Sequence, residues 1–246
     1  KETEEFVQFT LEPEILGEAR LGYEEIHSPE MFEPHFGIDE SGKGDFFGPL
    51  VIAGAYTERA STRALMDAGV MDSKRIKSRT RIRALAAAIQ RTPGVEVAVV
   101  RIGPERYNDL YKSFGNLNDL LAWGHAKVIE ELAGRVPDCQ RALSDQFANP
   151  RVLQRQLDKK GLAIELEQRT KAESDVAVAA ASIVARERFL DWIERAGEQW
   201  ALELPLGAGP PVLEAGRAFL AAHGSGPLGE VAKLHFKTRS QLVGAD

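Results

Sequence analysis

The sequence predicts an α/β fold in which helices flank a sheet of mixed strand direction. Three strand-like segments come early, over residues 36–41, 50–57 and 95–103, and the third is rich in β-branched residues. Two later strand-like segments, 141–147 and 162–170, are each reached through helical segments. We therefore expect the first three strands to form an antiparallel meander and the last two to run parallel, in a five-stranded sheet.

Helical patterns fill the intervals between these strands. They cover residues 60–69 and 78–91, two helices between 104 and 136, and 174–197. Within the pair, Gly115 predicts a break and Asn118 is a candidate N-cap. In the last helix the small residues from Ala177 to Ser182 would let a neighbouring backbone approach closely. The region from Pro205 onward is rich in Gly and Pro and then basic, and we expect further helices there.

Composition and charge set broad limits on function. With 246 residues, 43% hydrophobic and 28% charged, the chain can bury a core that needs no disulfide or structural metal. The single cysteine, Cys139, cannot form an internal disulfide, which favours a reducing compartment, and we expect a cytoplasmic monomer. No apolar run approaches the roughly 20 residues that span a bilayer, so no membrane partner is expected. The net charge of −6 argues weakly against a nucleic-acid binder, unless metal ions occupy an acidic site.

Acidic residues end two of the predicted strands and follow a third. Asp39 and Glu40 end the first strand, Asp145 ends the strand at 141–147, and Glu173 lies just after the last strand. Carboxylates that converge repel one another, and hard divalent cations such as Mg²⁺ remove that conflict. Two such ions about 4 Å apart support in-line displacement at phosphorus. The alternative for each acid is a helix cap or a solvated surface charge, so the pattern alone leaves metal-dependent phosphoryl chemistry as a hypothesis.

A glycine-flanked lysine follows the first pair of acids, in the stretch GIDESGKGDFFGPL over residues 37–50. Glycines at positions 42 and 44 allow close backbone approach, and backbone N–H groups together with Lys43 can hold a phosphate or a sugar hydroxyl. A tight β-turn would use the same glycines, so the loop is informative mainly because it adjoins Asp39 and Glu40.

These motifs, taken together and in order, resemble the type 2 ribonucleases H, and the Gly-Lys-Gly form resembles ribonuclease HIII. The similarity extends over about residues 36–240 and includes MDSKRIKS (71–78), NLNDLLAWGHAK (116–127), LSDQF (143–147), TKAESDVAVAAASIVAR (170–186) and VAKLHFKT (231–238). The resemblance implies an RNase H-like fold and an endoribonuclease that cleaves the RNA strand of RNA/DNA hybrids, leaving 5′-phosphate and 3′-hydroxyl ends.

The same resemblance assigns roles to individual residues. It places the catalytic, metal-binding acids at Asp39, Glu40, Asp145 and Glu173, with two Mg²⁺ or Mn²⁺ ions as cofactors, and Asp175 is a rival for the fourth acid. The residues expected to bind substrate are Ser41, Gly42, Lys43, Gly44, Lys74, Asn116, Asn118, Lys233 and Lys237. For the lysines a solvated surface charge is an equal alternative, and Asn118 could simply cap its helix.

Two further expectations concern the N-terminus and the competing functions. Residues 1–35 are interpreted as a leader or the remnant of a substrate-binding domain, because ribonucleases HIII usually carry such a domain ahead of the catalytic domain, here 36–246. We therefore expect weaker hybrid binding than in a chain that has the domain. The alternatives are a ribonuclease HII-like enzyme that nicks at single ribonucleotides in duplex DNA, which Lys43 and Glu173 disfavour, and a non-catalytic nucleic-acid-binding module.

Overall fold

The computed structural model describes Glu25 and residues 28–70 and 76–244. Most of residues 1–35, the segment interpreted as a leader, and Lys74 therefore lie outside the described residues. The strands are β1 (His35–Ser41), β2 (Leu50–Thr57), β3 (Glu96–Ile102), β4 (Arg141–Asp145) and β5 (Glu165–Arg169). The helices are α1 (Arg59–Asp67), α2 (Arg79–Arg91), α3 (Pro104–Phe114), α4 (Leu117–Arg135), α5 (Pro150–Lys159), α6 (Val176–Trp200), α7 (Pro210–His223), α8 (Leu228–Val231) and α9 (Lys237–Val243). Short 3₁₀ turns cover Pro29–Phe32 and Ala172–Ser174.

The five strands form one mixed sheet in the order β3-β2-β1-β4-β5. β1 pairs with β2 and β2 pairs with β3 in antiparallel register, whereas β4 runs parallel to both β1 and β5. The predicted meander followed by parallel strands is therefore confirmed. Because β4 and β1 are parallel neighbours, their carboxyl ends, which carry the predicted acids, meet at the same edge of the sheet.

The alternation of side chains along β1 decides which helix each of its residues contacts. Phe36 and Ile38 face the core cluster formed with α3, α4 and α5. Gly37 faces the opposite side of the sheet, where α6 packs. Since strand side chains alternate with a period of two, Asp39 continues the α6 side and Glu40 continues the α4 side.

The packing of α6 on β1 is close because the facing residues are small. A Cβ atom added to Gly37 would lie 2.2 Å from the carbonyl carbon of Ala177 and 2.2 Å from the nitrogen of Val178. The small-residue segment at the start of α6 is fully buried. The expectation that this segment lets a neighbouring backbone approach is therefore confirmed, and the neighbour is β1, the strand that ends in Asp39 and Glu40.

Three local assignments differ from the sequence-based expectations. Asn116, not Asn118, is the N-cap of α4, and its side-chain oxygen accepts from the Asp119 N–H at 2.9 Å. Helix α5 was not predicted, because its apolar positions are few and only Leu153 and Leu157 are buried. Glu173 lies in a separate 3₁₀ turn before α6 begins, and Lys171, which precedes this turn, has a left-handed backbone with φ 59°.

None of the helices in the described part of the chain combines the length and the apolar character that a membrane crossing requires.

Candidate active site

Asp39 and Glu40 line one open cleft although they project toward opposite faces of the sheet. The cleft has a volume of about 530 Å³ and lies at the carboxyl ends of β1 and β4. Its lining residues are Asp39, Glu40, Ser41, Gly42, Lys43, Gly44, Asp45, Asp145, Ser182, Arg186, Phe189, Leu190 and Leu206. Three of the four predicted acids and the whole predicted Ser-Gly-Lys-Gly segment are thus brought together.

Asp39 is buried on the side of the sheet where α6 packs. It is 8% exposed, and one carboxylate oxygen accepts from the Glu40 N–H at 2.8 Å. Burial, and next the negative charge of Glu40, raise the pKa of Asp39, with a smaller contribution from Asp145, while a hydrogen bond with Ser182 opposes the rise. A positive charge placed in the cleft would stabilise the ionised form of this carboxyl group.

Glu40 is held by two partners on either side of its carboxylate. His125 Nε2 lies 3.1 Å from Oε2, and Lys43 Nζ lies 3.3 Å from Oε1. Burial alone would raise the pKa of Glu40, but the hydrogen bond and charge of His125, followed by Lys43, lower it overall. The two adjacent carboxylates therefore have their pKa values shifted in opposite directions, because Asp39 is buried beside a negative charge whereas Glu40 lies between His125 and Lys43.

Asp145 connects the end of β4 to the turn that carries Glu173. Its Oδ1 accepts from the Ala172 N–H at 3.3 Å, one residue before Glu173. Glu173 itself is half-buried and is not among the residues that line the cleft. Its place in the ligand set therefore stays a prediction.

Asp175, the rival for the fourth acid, has other contacts. It is 5% exposed, caps α6 by accepting from the Ala177 and Val178 N–H groups, and lies 3.1 Å from His35 Nε2. Together with His35 it lines a separate small cavity near the start of β1. Its carboxylate is thus directed away from Asp39, which favours Glu173.

The glycine loop has one position that demands glycine and one that leaves space open. Gly42 has φ 89°, and an added Cβ would lie 2.2 Å from the Pro49 carbonyl oxygen. At Gly44 an added Cβ would have no neighbour within 4 Å. Gly42 therefore shapes the turn, and Gly44 leaves the rim of the cleft beside Lys43 accessible to a ligand backbone.

The cleft contains residues that sequence reasoning did not single out. Ser182 and Arg186 lie one helical turn apart on α6, and Phe189 follows on the same face. The spacing of these three residues along the helix could have indicated that they share a face. Nothing in the sequence, however, indicates which strand that face packs against. His125 was missed as well, because a single histidine among the apolar residues of α4 gives no distinctive signal.

The chemical type of the oxygen donors in the cleft, rather than their spacing, matches a hard divalent cation. Carboxylates are the ligands that Mg²⁺ and Mn²⁺ prefer. The pKa of Asp39 is raised first by burial and next by the charge of Glu40, and a cation in the cleft would oppose both effects. In the described part of the chain, no group of three or more His, Cys, Asp or Glu side chains is arranged so that it could hold a metal ion. Here the carboxylates of Glu40 and Asp145 contact protein donors.

Lys233 requires a correction, because the structure gives it a different role from the expected phosphate contact. Its side chain is fully buried, and its ammonium donates to the carbonyl oxygens of Asp45 at 2.8 Å, Gly48 at 2.6 Å and Phe47 at 3.4 Å. Burial lowers its pKa to about 7, with Asp45 opposing the shift. Lys233 therefore fixes the loop that follows the Gly-Lys-Gly motif and cannot reach a phosphate at the surface.

The remaining candidates for substrate contacts lie outside the cleft lining. Asn116 and Asn118 are exposed at the start of α4, and Lys237 is exposed at the start of α9. All three are accessible to a large ligand, and their contacts with nucleic acid stay predictions.

Comparison with known proteins agrees with the fold and the motifs. Residues 36–239 match the family model described as Ribonuclease HII. Ribonuclease HIII of Protochlamydia amoebophila is 43% identical over 244 residues, which is 99% of this chain and 79% of that protein. Ribonuclease HIII of Chlamydia pneumoniae is also 43% identical, over 98% of this chain and 80% of its own length.

Among solved structures, Bst-RNase HIII in complex with Mn²⁺ superposes with a TM-score of 0.79 and 33% identity, over 86% of this chain and 70% of that one. The expected RNase H-like fold is thereby confirmed. Since the family model matches residues 36–239 and the relatives extend over nearly all of the sequence, the chain belongs to the type 2 ribonucleases H and, within them, to the ribonucleases HIII.

Proposed function

We propose that this protein is a metal-dependent endoribonuclease that cleaves the RNA strand of RNA/DNA hybrids, giving 5′-phosphate and 3′-hydroxyl ends. The observation that carries the proposal is the shared cleft, in which acids from β1 and β4 face the Gly-Lys-Gly loop. The ribonuclease HIII relatives and the neighbour solved with Mn²⁺ support the same activity and the use of Mg²⁺ or Mn²⁺.

The proposed ligands of two such ions are Asp39, Glu40, Asp145 and Glu173. When bound, the ions supply activation of the attacking water and stabilisation of charge on the leaving oxygen. The protein contributes the position of its carboxylates: β1 and β4 are hydrogen-bonded neighbours, so Asp39 and Asp145 are fixed relative to each other by the sheet. Ser182 holds Asp39 from α6, which restricts its carboxylate to one orientation.

The Gly-Lys-Gly loop is proposed to bind the RNA backbone. Gly44 leaves open space at the rim of the cleft, and Lys43, whose side chain is 38% exposed, is the cation beside it. Contacts with 2′-hydroxyl groups at this loop would distinguish RNA from DNA. Lys237, Asn116 and Asn118 are proposed as outer contacts, which would add affinity but little sequence preference.

The test is hydrolysis of a uniformly labelled RNA/DNA hybrid by the wild type and by Asp145→Asn, with Mg²⁺ and with Mn²⁺. We expect the substitution to reduce cleavage more than about 100-fold, beyond what loss of an outer-shell partner causes. Asp158→Asn is the matched control, because Asp158 is exposed on α5 and outside the cleft. Absence of hybrid cleavage by the wild type with either metal, or full activity of Asp145→Asn, would refute the proposal.

The same assay separates this activity from the ribonuclease HII-like alternative. A duplex with one embedded ribonucleotide is cleaved in place of the long hybrid if the alternative holds. A cytoplasmic location is part of the proposal, and the lone buried cysteine, Cys139, supports a reducing compartment. The proposal also includes a monomeric state. Light scattering at the assay concentration tests the monomer, and a dimer mass would refute it.

A further inference from the structure

A fully buried histidine connects the two strands that carry the acids. His125, in α4, is 0% exposed. Its Nε2 lies 3.1 Å from Glu40 Oε2 on β1, and its Nδ1 lies 3.0 Å from Ser144 Oγ on β4. Ser144 Oγ in turn donates to the carbonyl oxygen of Asp145 at 3.1 Å. The chain of contacts therefore runs from one predicted metal ligand to the backbone of another.

The surroundings of His125 leave the ring little freedom. Its neighbours on α4 are buried apolar residues, and the ring of Phe147 packs against it with centroids 4.7 Å apart. A buried imidazole is costly unless both nitrogens have partners, and here both do. Because Ser144 and Phe147 hold the ring in addition to its own helix, the position of Nε2 is fixed even without the contact to Glu40.

The fixed position of His125 Nε2 determines the orientation of the Glu40 carboxylate. A glutamate side chain has several rotatable bonds, and ordering it at the moment of ligand binding costs conformational entropy. With Oε2 held by His125 on the core side, Oε1 lies on the side of Lys43, which lines the cleft. The carboxylate is therefore oriented before any cation arrives.

We propose that His125 is a positioning residue that orients Glu40 for metal binding and, through Ser144, links its position to the Asp145 end of β4. This inference rests on the proposed function, in which Glu40 and Asp145 are metal ligands. Partners of this outer-shell kind commonly change metal affinity by about 10- to 100-fold when they are removed.

The test compares two amide substitutions that differ in which nitrogen of the ring they replace. His125→Gln places an amide nitrogen near the position of Nε2 and keeps a donor for Glu40, whereas His125→Asn keeps only a partner for Ser144. Binding of Mn²⁺ is measured by electron paramagnetic resonance on the purified full chain without nucleic acid. We expect His125→Asn to weaken Mn²⁺ binding about 10- to 100-fold and His125→Gln to restore most of the loss.

A purely space-filling role predicts a different pattern. Both amides fill less space than the ring, so both would lower the melting temperature without separating in Mn²⁺ affinity. Equal Mn²⁺ affinities for the two variants, or wild-type affinity for His125→Asn, would overturn the inference. His223→Ala is the matched control, because His223 is exposed on α7. Within the described part of the chain it contacts Trp200 and Phe219, far from the acids in sequence.

Two more variants keep the inference testable if the His125 variants fail to fold. Ser144→Ala removes one oxygen from the same chain of contacts and is expected to weaken Mn²⁺ binding several-fold; unchanged affinity would overturn the inference. In a Glu40→Ala background the same change should weaken Mn²⁺ binding much less than in the wild type, and undiminished weakening would overturn the inference that these contacts act through Glu40. A wild type that binds Mn²⁺ through Glu40 yet cleaves no hybrid would refute the proposed function alone, since these readouts require no cleavage.

Discussion

Gly37→Ala adds one carbon atom at the closest contact between β1 and α6. The new Cβ would lie 2.2 Å from two backbone atoms, the carbonyl carbon of Ala177 and the nitrogen of Val178. Non-bonded carbon atoms approach to about 3.5 Å, so the helix and the strand must separate by about 1.3 Å. No side-chain rotation can relieve this overlap, because both atoms belong to the backbone of a 25-residue helix.

The expected cost follows from that geometry. Overpacking a core lowers the free energy of unfolding by about 1–3 kcal/mol and sometimes more. Because the added atom meets backbone rather than a movable side chain, we expect a loss of about 3 kcal/mol or above for Gly37→Ala. For a chain of this size that corresponds to a fall in melting temperature of roughly 6–12 °C. A displaced α6 would also move Ser182 relative to Asp39, and misplacement by about 1 Å can reduce turnover about 100-fold.

Urea unfolding and hybrid cleavage are the two assays for this prediction. The matched control is Gly134→Ala, an exposed position on α4 where an added Cβ meets no atom within 4 Å. Alanine there should raise the free energy of unfolding by about 0.5–1 kcal/mol, because glycine is a poor helix former. If the free energy of unfolding of Gly37→Ala lies within about 1 kcal/mol of the wild-type value and the variant keeps full activity, the close contact between α6 and β1 is refuted.

Three other predictions follow from particular contacts. Burial alone would lower the pKa of His35, but the hydrogen bond and charge of Asp175 outweigh burial and raise the pKa above 6.5. The pairing of protonated His35 with Asp175 therefore stabilises the folded state fully below pH 6.5, and this stabilisation is lost as the pH rises through the folded-state pKa. The difference in unfolding free energy between wild type and His35→Asn should therefore shrink as the pH rises above about 6.5, and a constant difference would contradict this. Lys233→Met should destabilise the fold by about 2–5 kcal/mol, measured by urea unfolding, because two short hydrogen bonds to buried carbonyl groups are lost; a stability unchanged from wild type would count against the anchoring role. Lys237→Ala should reduce the slope of log affinity for the hybrid against log salt by about one, whereas Lys233→Met should leave that slope unchanged.

Local patterns predicted most of the secondary structure correctly. The strand at 50–57 is a continuous apolar run, the third strand is rich in β-branched residues, and periodicity of 3.6 marked the long helices. Errors arose where local signals were equivalent: Asn116 and Asn118 are both good N-caps, and only the hydrogen bond to Asp119 distinguishes them. Helix α5 escaped prediction because two buried leucines are too few to define an apolar face.

The candidate site was predictable where acidic residues end predicted strands. Asp39 and Asp145 end neighbouring strands, and carboxyl ends of parallel strands meet at one edge. Lys233 shows the limit of that reasoning. A basic segment near the C-terminus looks like a phosphate-binding surface, but tertiary folding places this ammonium against three carbonyl groups instead.

The sequence by itself determined the strands, the main helices, the acidic strand ends and the family resemblance, because each depends on short-range pattern or on motifs in order. Only the tertiary structure decided the partners of those residues: Ser182 for Asp39, His125 for Glu40, and His35 for Asp175. The two members of each pair are 85 to 143 positions apart in the sequence. The physical reason is that the packing of helices on the two faces of the sheet determines which polar groups come into contact, and therefore which pKa values shift. The periodicity of side chains along the sequence does not specify that packing.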